Sequence, residues 1–287
     1  MGEIKGTTKL VGLIGWPVNH SLSPQMHNAA FADKGLDFCY VAFPVKPAAL
    51  KQAIMGLHAL GMIGANVTQP HKEKVLNYLD DASSEAQTIG AVNTILVEEN
   101  SLLGYNTDAM GFLISLEKEA KVQLEGKRIV VIGAGGAGRA ISVGAAFSRV
   151  REITLADVVK DKAKRLVAAI QAVRPEVKTL ALEPTSEQFA KSVEAADIVV
   201  NATPLGLRSD DPLPLDPAQL SKKTFVFDAI YIPAETPLLK AAREKGCRTL
   251  NGTGMLVHQG SAAFKIWTGV EPNITLMRDV VTKALGL

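Results

Sequence analysis

The stretch Arg128-Ile129-Val130-Val131-Ile132-Gly133-Ala134-Gly135-Gly136-Ala137-Gly138-Arg139-Ala140-Ile141 decides how this chain folds. Its first five residues are a short apolar run of the kind that makes a buried strand. Gly133, Gly135 and Gly138 then take the GxGxxG spacing, and a helix-forming stretch opens at Arg139. Glycine at the first place allows a tight turn. At the second it lets a pyrophosphate approach the backbone, and at the third it lets the helix pack close to the sheet. Gly136 and Ala137 offer backbone N–H groups at the positive end of that helix, where phosphates bind. The next strand, Glu152–Ala156, ends at Asp157, 24 residues beyond Gly133. Strand, turn, helix, strand and acid in this order predict a dinucleotide-binding unit.

Asp157 carries a further expectation. A carboxylate at the tip of that strand can accept hydrogen bonds from both ribose hydroxyls of NAD and would repel a 2′-phosphate, for which an Arg is wanted. Val158 and Val159 follow it, with no Arg beside the acid. The residue pattern therefore favours NAD, with NADP the lesser choice. Asp157 also suits a plain helix N-cap, and the sequence leaves both readings open.

The glycine turn lies in the middle of 287 residues, so more than a hundred residues upstream have another task. The chain is 47% hydrophobic and 21% charged with a net charge of +2, as expected of a globular protein of about two domains. Lys and Arg are scattered, which argues against nucleic acid and membrane surfaces as partners and leaves a small molecule. No apolar run approaches the ~20 residues of a membrane span. Met1 to Gly6 lacks a signal-peptide core, and Cys39 and Cys247 are isolated, so a reduced cytoplasmic setting is expected. The five histidines have no ligand spacing, and no metal is expected. A monomer and a homodimer are equally compatible with this pattern.

Strands and helices alternate throughout, which predicts an α/β fold with largely parallel sheets. An N-terminal α/β domain is expected over residues 1–124 and a Rossmann-type domain over 125–251. Helices over 252–287 have no strand to cross to and should return to the first domain. In the first domain the pattern predicts strands at Leu10–Gly15, Phe38–Val45, Ile63–Val67 and Ala91–Glu98. It predicts a helix from His71 to Leu79 and another opened by Ser23 as N-cap with Pro24 behind it.

Three polar segments fall at the C-terminal ends of predicted strands, the edge at which open α/β sheets bind ligands. They are Asn19–Pro24, Asn66–Lys72 and Gly104–Asp108, with Asn93 just upstream of the last. Their hydroxyls, carboxamides, amine and carboxylate suit a small oxygenated ligand. Lys72 stands at a predicted helix start, against the local dipole, and Asp108 either caps the following helix or does chemistry. Together they can serve alcohol oxidation, in which a base takes the hydroxyl proton while hydride leaves. Ser21 is poorly explained by capping. Thr68 could simply end a strand. The histidines read as packing or polar-contact residues.

At this point the chain resembles the shikimate and quinate dehydrogenases over nearly its whole length. The likeness rests on Gly15-Trp16-Pro17 through His20-Ser21-Leu22-Ser23-Pro24, Asn66-Val67-Thr68-Gln69-Pro70-His71-Lys72 and Gly90-Ala91-Val92-Asn93-Thr94. Gly104-Tyr105-Asn106-Thr107-Asp108, the glycine turn, Asn201-Ala202-Thr203-Pro204-Leu205-Gly206 and Gly254-Met255-Leu256-Val257-His258-Gln259 follow in order. The resemblance implies an NAD(P)-linked interconversion of shikimate and 3-dehydroshikimate, or of quinate and 3-dehydroquinate, within aromatic amino acid biosynthesis. It makes Lys72 and Asp108 the catalytic pair and gives the substrate carboxylate to Ser21 and Ser23. It gives substrate contacts to Thr68, Asn93, Tyr231 and Gln259, and cofactor contacts to Asn201, Thr203 and Gly254. Two departures stand out. Ala156-Asp157-Val158 replaces the Asn-Arg-Thr of NADP-using members, and His71 replaces a frequent Phe. Both lean toward an NAD-using, catabolic relative. A dehydrogenase of a related cyclic polyol or aminoshikimate-like analogue, and a non-catalytic dinucleotide or metabolite sensor, remain compatible with the residues.

Overall fold

The computed structural model describes residues 3–286. The chain divides into two compact units. One runs to Gly111 and resumes at Val257, and the other spans Phe112 to Leu256.

The first unit contains β1 (Lys9–Gly15), α1 (Ser23–Asp33), β2 (Phe38–Pro44), α2 (Leu50–Ala59), β3 (Gly64–Val67), β4 (Asp81–Ala82), α3 (Ser84–Ile89), β5 (Thr94–Val97) and β6 (Leu102–Tyr105). α4 (Asp108–Ser115) starts in this unit and continues as a π-helical turn over Leu116–Ala120. The strands form one sheet in the order β2-β1-β3-β5-β6-β4. β1 is parallel to both its neighbours, whereas β5 runs antiparallel to β3 and to β6. The sheet is therefore mixed rather than largely parallel. β6 and the short β4 and α3 escape the sequence pattern because they are brief and Gly104 interrupts the apolar run. One face of the sheet packs Ile14, Ala65, Val67 and Ile95 against Leu50, Ile54 and Leu57 of α2, the period expected of a half-buried helix.

Two local expectations fail. Residues 71–79 make no α-helix: only Lys74–Tyr78 coil, as a short 3-10 turn, so Lys72 precedes the turn and no helix dipole opposes it. Ser23 is the first residue of α1, not its cap. Ser21 Oγ instead accepts the Ser23 backbone N–H at 3.2 Å, satisfying one of the donors that a helix start leaves open.

The second unit contains β7 (Arg128–Ile132), α5 (Gly136–Phe147), β8 (Glu152–Ala156), α6 (Lys160–Val173), β9 (Lys178–Leu182), α7 (Glu187–Glu194), β10 (Ile198–Asn201), β11 (Phe225–Asp228), α8 (Pro237–Glu244) and β12 (Arg248–Leu250). Every neighbouring pair is parallel, in the order β12-β11-β10-β7-β8-β9. That is the doubly wound Rossmann order, with its reversal point between β7 and β10. β7, β8 and β10 are buried almost throughout, as parallel strands covered on both faces must be.

α9 (Thr253–Thr268) and α10 (Ile274–Leu285) close the chain. From Val257 onward they belong to the first unit, where α10 lies against α1. Phe264 and Trp267 of α9 join Phe31, Tyr40 and His27 in a buried aromatic layer. Trp267 Nε1 donates to the Ile95 carbonyl of β5 at 2.9 Å. Among the described residues no helix is long and apolar enough to cross a membrane.

Candidate active site and dinucleotide cradle

In the first unit, side chains far apart in sequence meet at the strand ends. Lys72 Nζ lies 2.5 Å from Asp108 Oδ2. The Lys72 side chain keeps 17% of its surface exposed and that of Asp108 only 5%, so lysine is the more open member of the pair. Asp108 opens α4, but it does not cap it. Its own N–H is accepted by Asn106 Oδ1 at 3.0 Å, and Asn106 is anchored by donating to the Ala91 carbonyl. The Asp108 carboxylate is thus left for side-chain partners: Oδ2 meets Lys72 and Oδ1 accepts from Asn93 Nδ2 at 2.8 Å.

Asn93 is the hub. Its Nδ2 also faces Thr107 Oγ1 at 2.9 Å and Gln259 Oε1 at 3.3 Å, while its Oδ1 accepts from the Thr107 N–H and the Thr94 hydroxyl. Four of the expected residues, Lys72, Asn93, Asp108 and Gln259, are therefore one connected polar cluster. Thr107 and Asn106 lie in a segment the sequence marked, but their supporting roles were not foreseen. Thr68 is half-buried at the end of β3, and its methyl group fills the space beside Gly15, where a β-carbon would stand 2.3 Å away. Ser21 and Ser23 adjoin each other at the start of α1. His71 is fully buried, with Nε2 2.7 Å from the Val45 carbonyl, which fits its reading as a packing and polar-contact residue.

In the second unit the three glycines differ in kind. Gly133 has a φ of +99°, and a β-carbon there would lie 2.9 Å from the Ala202 backbone. A β-carbon on Gly138 would lie 1.9 Å from the Gly133 carbonyl oxygen. Around Gly135 nothing approaches within 4 Å. No side chain caps the N-terminus of α5, whose first residues are Gly136, Ala137 and Gly138. Open space beside uncapped N–H groups at a helix start fits a dinucleotide pyrophosphate.

Asn201 and Thr203 build the adjoining turn instead of projecting from it. Asn201 Nδ2 donates to the Leu205 carbonyl and to Asp228 Oδ1, and its Oδ1 accepts from the Thr203 N–H and hydroxyl. Tyr231 is half-buried in the loop after β11. At Gly254 the place of a β-carbon is filled by the Glu119 carboxylate, whose Oε1 would stand 2.0 Å away. Asp157 Oδ2 accepts the Ala134 N–H at 2.7 Å and its Oδ1 accepts the Val159 N–H at 2.8 Å. Both bonds fix the backbone at the glycine turn and ahead of α6. Among the described residues, no group of three or more His, Cys, Asp or Glu side chains is placed to hold a metal.

These two units, one with a polar Lys–Asp cluster and one with a Rossmann cradle, define a dinucleotide-linked oxidoreductase. Comparison with known proteins narrows the class. Residues 13–95 match the shikimate dehydrogenase substrate binding domain, and residues 252–282 match the shikimate 5′-dehydrogenase C-terminal domain. Residues 129–210 match the saccharopine dehydrogenase NADP binding domain. Shikimate dehydrogenase (NADP(+)) of Methanocaldococcus jannaschii is 45% identical, with 97% of this chain and 98% of that protein covered. The enzyme of the same name from Moorella thermoacetica is 45% identical over 100% of this chain and 97% of its own. A crystal structure of shikimate dehydrogenase in complex with NADP+ is similar at a TM-score of 0.89 and 44% identity, covering 99% of this chain and 98% of that one. The chain belongs to the shikimate dehydrogenase family.

One expectation is corrected by these relatives. NAD was favoured over NADP on the strength of Asp157, yet relatives similar over their full length are named for NADP(+) and one is solved with it. The physical reason lies in the bonds just described. The Asp157 carboxylate holds two backbone N–H groups in place, one in the glycine turn and one at Val159, without capping α6, so its presence does not by itself select a ribose. The leaning toward a catabolic role rested partly on the same residue and loses that support.

Proposed function

We propose that this chain interconverts shikimate and 3-dehydroshikimate with NADP(H), and that Lys72 and Asp108 are its catalytic residues. The contact of Lys72 Nζ with Asp108 Oδ2 at 2.5 Å, inside a cluster of carboxamides and hydroxyls, carries this reading. Gly133–Gly138 would hold the dinucleotide, which when bound would supply the hydride acceptor for the alcohol carbon. Lys72 handles the accompanying proton, accepting it from the substrate hydroxyl on oxidation and returning it to the carbonyl oxygen on reduction. Asp108 orients the Lys72 amine and presents a second acceptor to the same hydroxyl.

Substrate-holding roles fall to groups with polar atoms at the same strand ends. Asn93 and Gln259 are within the cluster and suit neighbouring ring hydroxyls. Ser21 and Ser23, with Thr68, suit the carboxylate and remaining hydroxyls, and the family resemblance adds Tyr231 to the substrate contacts. Asn201, Thr203 and Gly254 shape the backbone on which the dinucleotide lies. The decisive experiment is steady-state oxidation of shikimate with NADP+ by the wild type and by Lys72→Ala. Turnover by the wild type that the variant loses, with shikimate binding retained, supports the reading. No turnover by the wild type, or a variant with unchanged kcat, refutes it.

A further inference from the structure

β2 lies at the edge of the first sheet and pairs only with β1. An edge strand presents a row of unpaired N–H and C=O groups, a template on which another chain can build. The bonds at the two ends of β2 show which of its groups face outward. Lys9 N–H donates to the Asp37 carbonyl, and Val45 N–H donates to the Gly15 carbonyl, both at 2.9 Å. Odd-numbered residues from 37 to 45 therefore serve the ladder to β1. Phe38, Tyr40, Ala42 and Pro44 turn their backbone groups away from it.

Three of these four positions offer a newcomer no N–H. The Phe38 N–H is turned back onto the Leu36 carbonyl at 2.9 Å. Pro44 has no N–H to give. At Tyr40 the side chain of Asn28, from α1, takes both groups. Asn28 Nδ2 donates to the Tyr40 carbonyl at 3.0 Å, and the Tyr40 N–H donates to Asn28 Oδ1 at 2.8 Å. One carboxamide thus makes the two bonds that a neighbouring strand would make. Its orientation is fixed, because a backbone N–H only donates and a carbonyl only accepts. Ala42 alone keeps an open N–H, and it stands between two closed positions, where a ladder needs successive bonds. At the opposite edge of the sheet, β4 is two residues long, and edge strands that short are poor templates.

We propose that Asn28 keeps β2 from pairing with a second copy of this chain, so that copies do not associate by extending the sheet. A second copy is the occupant that an open β2 would suit. A two-fold axis sets two β2 strands antiparallel, each offering the other the same row of groups. Monomer and homodimer are equally compatible with the sequence pattern, and on this reading any homodimer uses a surface other than β2. This role of Asn28 is independent of Lys72 and Asp108.

Asn28→Leu keeps the side-chain volume and removes both bonds. Light scattering after size exclusion, over about a hundredfold range of concentration, should show one association step beyond wild type. In dilute solution the Tyr40 amide of the variant should exchange about fivefold faster than in wild type. In the associated form the Ala42 amide should exchange about tenfold slower than in wild type. Adding Ala42→Pro deletes the last outward N–H and should restore the wild-type mass. If Asn28→Leu does not fold, Asn28→Asp keeps the acceptor for the Tyr40 N–H, loses the donor to its carbonyl, and is held to the same criteria. A folded variant with the wild-type mass at every concentration would overturn the proposal. So would association that Ala42→Pro leaves in place, or a wild type whose Ala42 amide becomes protected as its concentration rises.

Discussion

Asn106 Oδ1 accepts the backbone N–H of Asp108 at 3.0 Å, and the capping work at the start of α4 is thereby done by the neighbour two residues back. A carboxylate at a helix start is ordinarily a cap. Here it is released to meet Lys72. Asp108→Asn should accordingly leave α4 intact while lowering kcat by roughly a hundred- to ten-thousandfold, the range for loss of acid–base function. Asn106→Ala should cost about 1 kcal/mol of stability together with activity. Circular dichroism melts and kcat on the two variants separate the roles, and an Asp108→Asn variant with near-normal kcat would count against the assignment.

The glycine turn makes a paired prediction. Gly138→Ala drives a methyl group to 1.9 Å from the Gly133 carbonyl and should destabilise the fold by about 2 kcal/mol or more, since backbone has to shift. Gly135→Ala meets open space at an ordinary φ of −80°. Its melting temperature should stay within about 2 °C of wild type, while affinity for NADP+ drops because the methyl group stands where the pyrophosphate approaches. Calorimetric binding and thermal melts check both, and equal affinity in Gly135→Ala and wild type would remove that residue from the cradle.

His27 gives the fold an acid-sensitive point. It is fully buried, neither ring nitrogen has a hydrogen-bond partner, and burial lowers its pKa from 6.5 to about 3. Below pH 6.5 the unfolded chain takes up a proton that the folded chain refuses, so stability is intact above that pH and declines as pH falls toward 3. The full span corresponds to about 5 kcal/mol. His27→Phe should keep the ring stack and remove this loss. Relative to wild type, the variant should gain about 2–3 kcal/mol on going from pH 7 to pH 4.5. Urea unfolding at the two pH values measures the gain, and parallel curves would show that His27 contributes nothing to acid sensitivity.

Asp228 acts in the opposite sense. Burial at the end of β11 raises its pKa, and the bonds from Thr236, Ile230 and Asn201 offset this only in part. The unfolded chain ionises first as pH rises, so the contribution of this group to stability falls as pH climbs out of the ordinary carboxylate range. The melting temperature of Asp228→Asn, compared with wild type, should improve between about pH 4 and pH 7. A difference that is constant over that range would contradict the direction of the shift.

How much of this was legible beforehand differs by kind of interaction. The second unit follows directly from Arg128–Ile141, because a buried strand, a glycine turn and a helix start adjoin one another in the sequence itself. Lys72, Asn93, Asp108 and Gln259 were marked as a set, three of them because strand ends are where polar side chains converge and Gln259 through the family resemblance. Tyr40 and Thr94 were not marked. The hydroxyl partner of Tyr40 is 26 residues away on another strand, a pairing that no local pattern shows. The cap was misread at Ser23, and left open at Asp108, for a related reason: each is already inside its helix, and its own N–H is taken by a side chain two residues earlier, Ser21 or Asn106. Asp157 misled because one carboxylate can serve a ribose or a backbone, and composition does not distinguish them.

Gly135 and Gly138 share a letter for opposite reasons. One leaves room that no part of the polypeptide takes, and that we assign to the dinucleotide; the other yields room that the polypeptide itself takes. A descendant of this chain that gave up its dinucleotide would be free to replace Gly135 at once, yet would be bound to keep Gly138 for as long as helix α5 lies on the sheet. Substitution tolerance at position 135, set against intolerance at 138, is therefore a marker of lost cofactor use that can be sought without any assay of turnover.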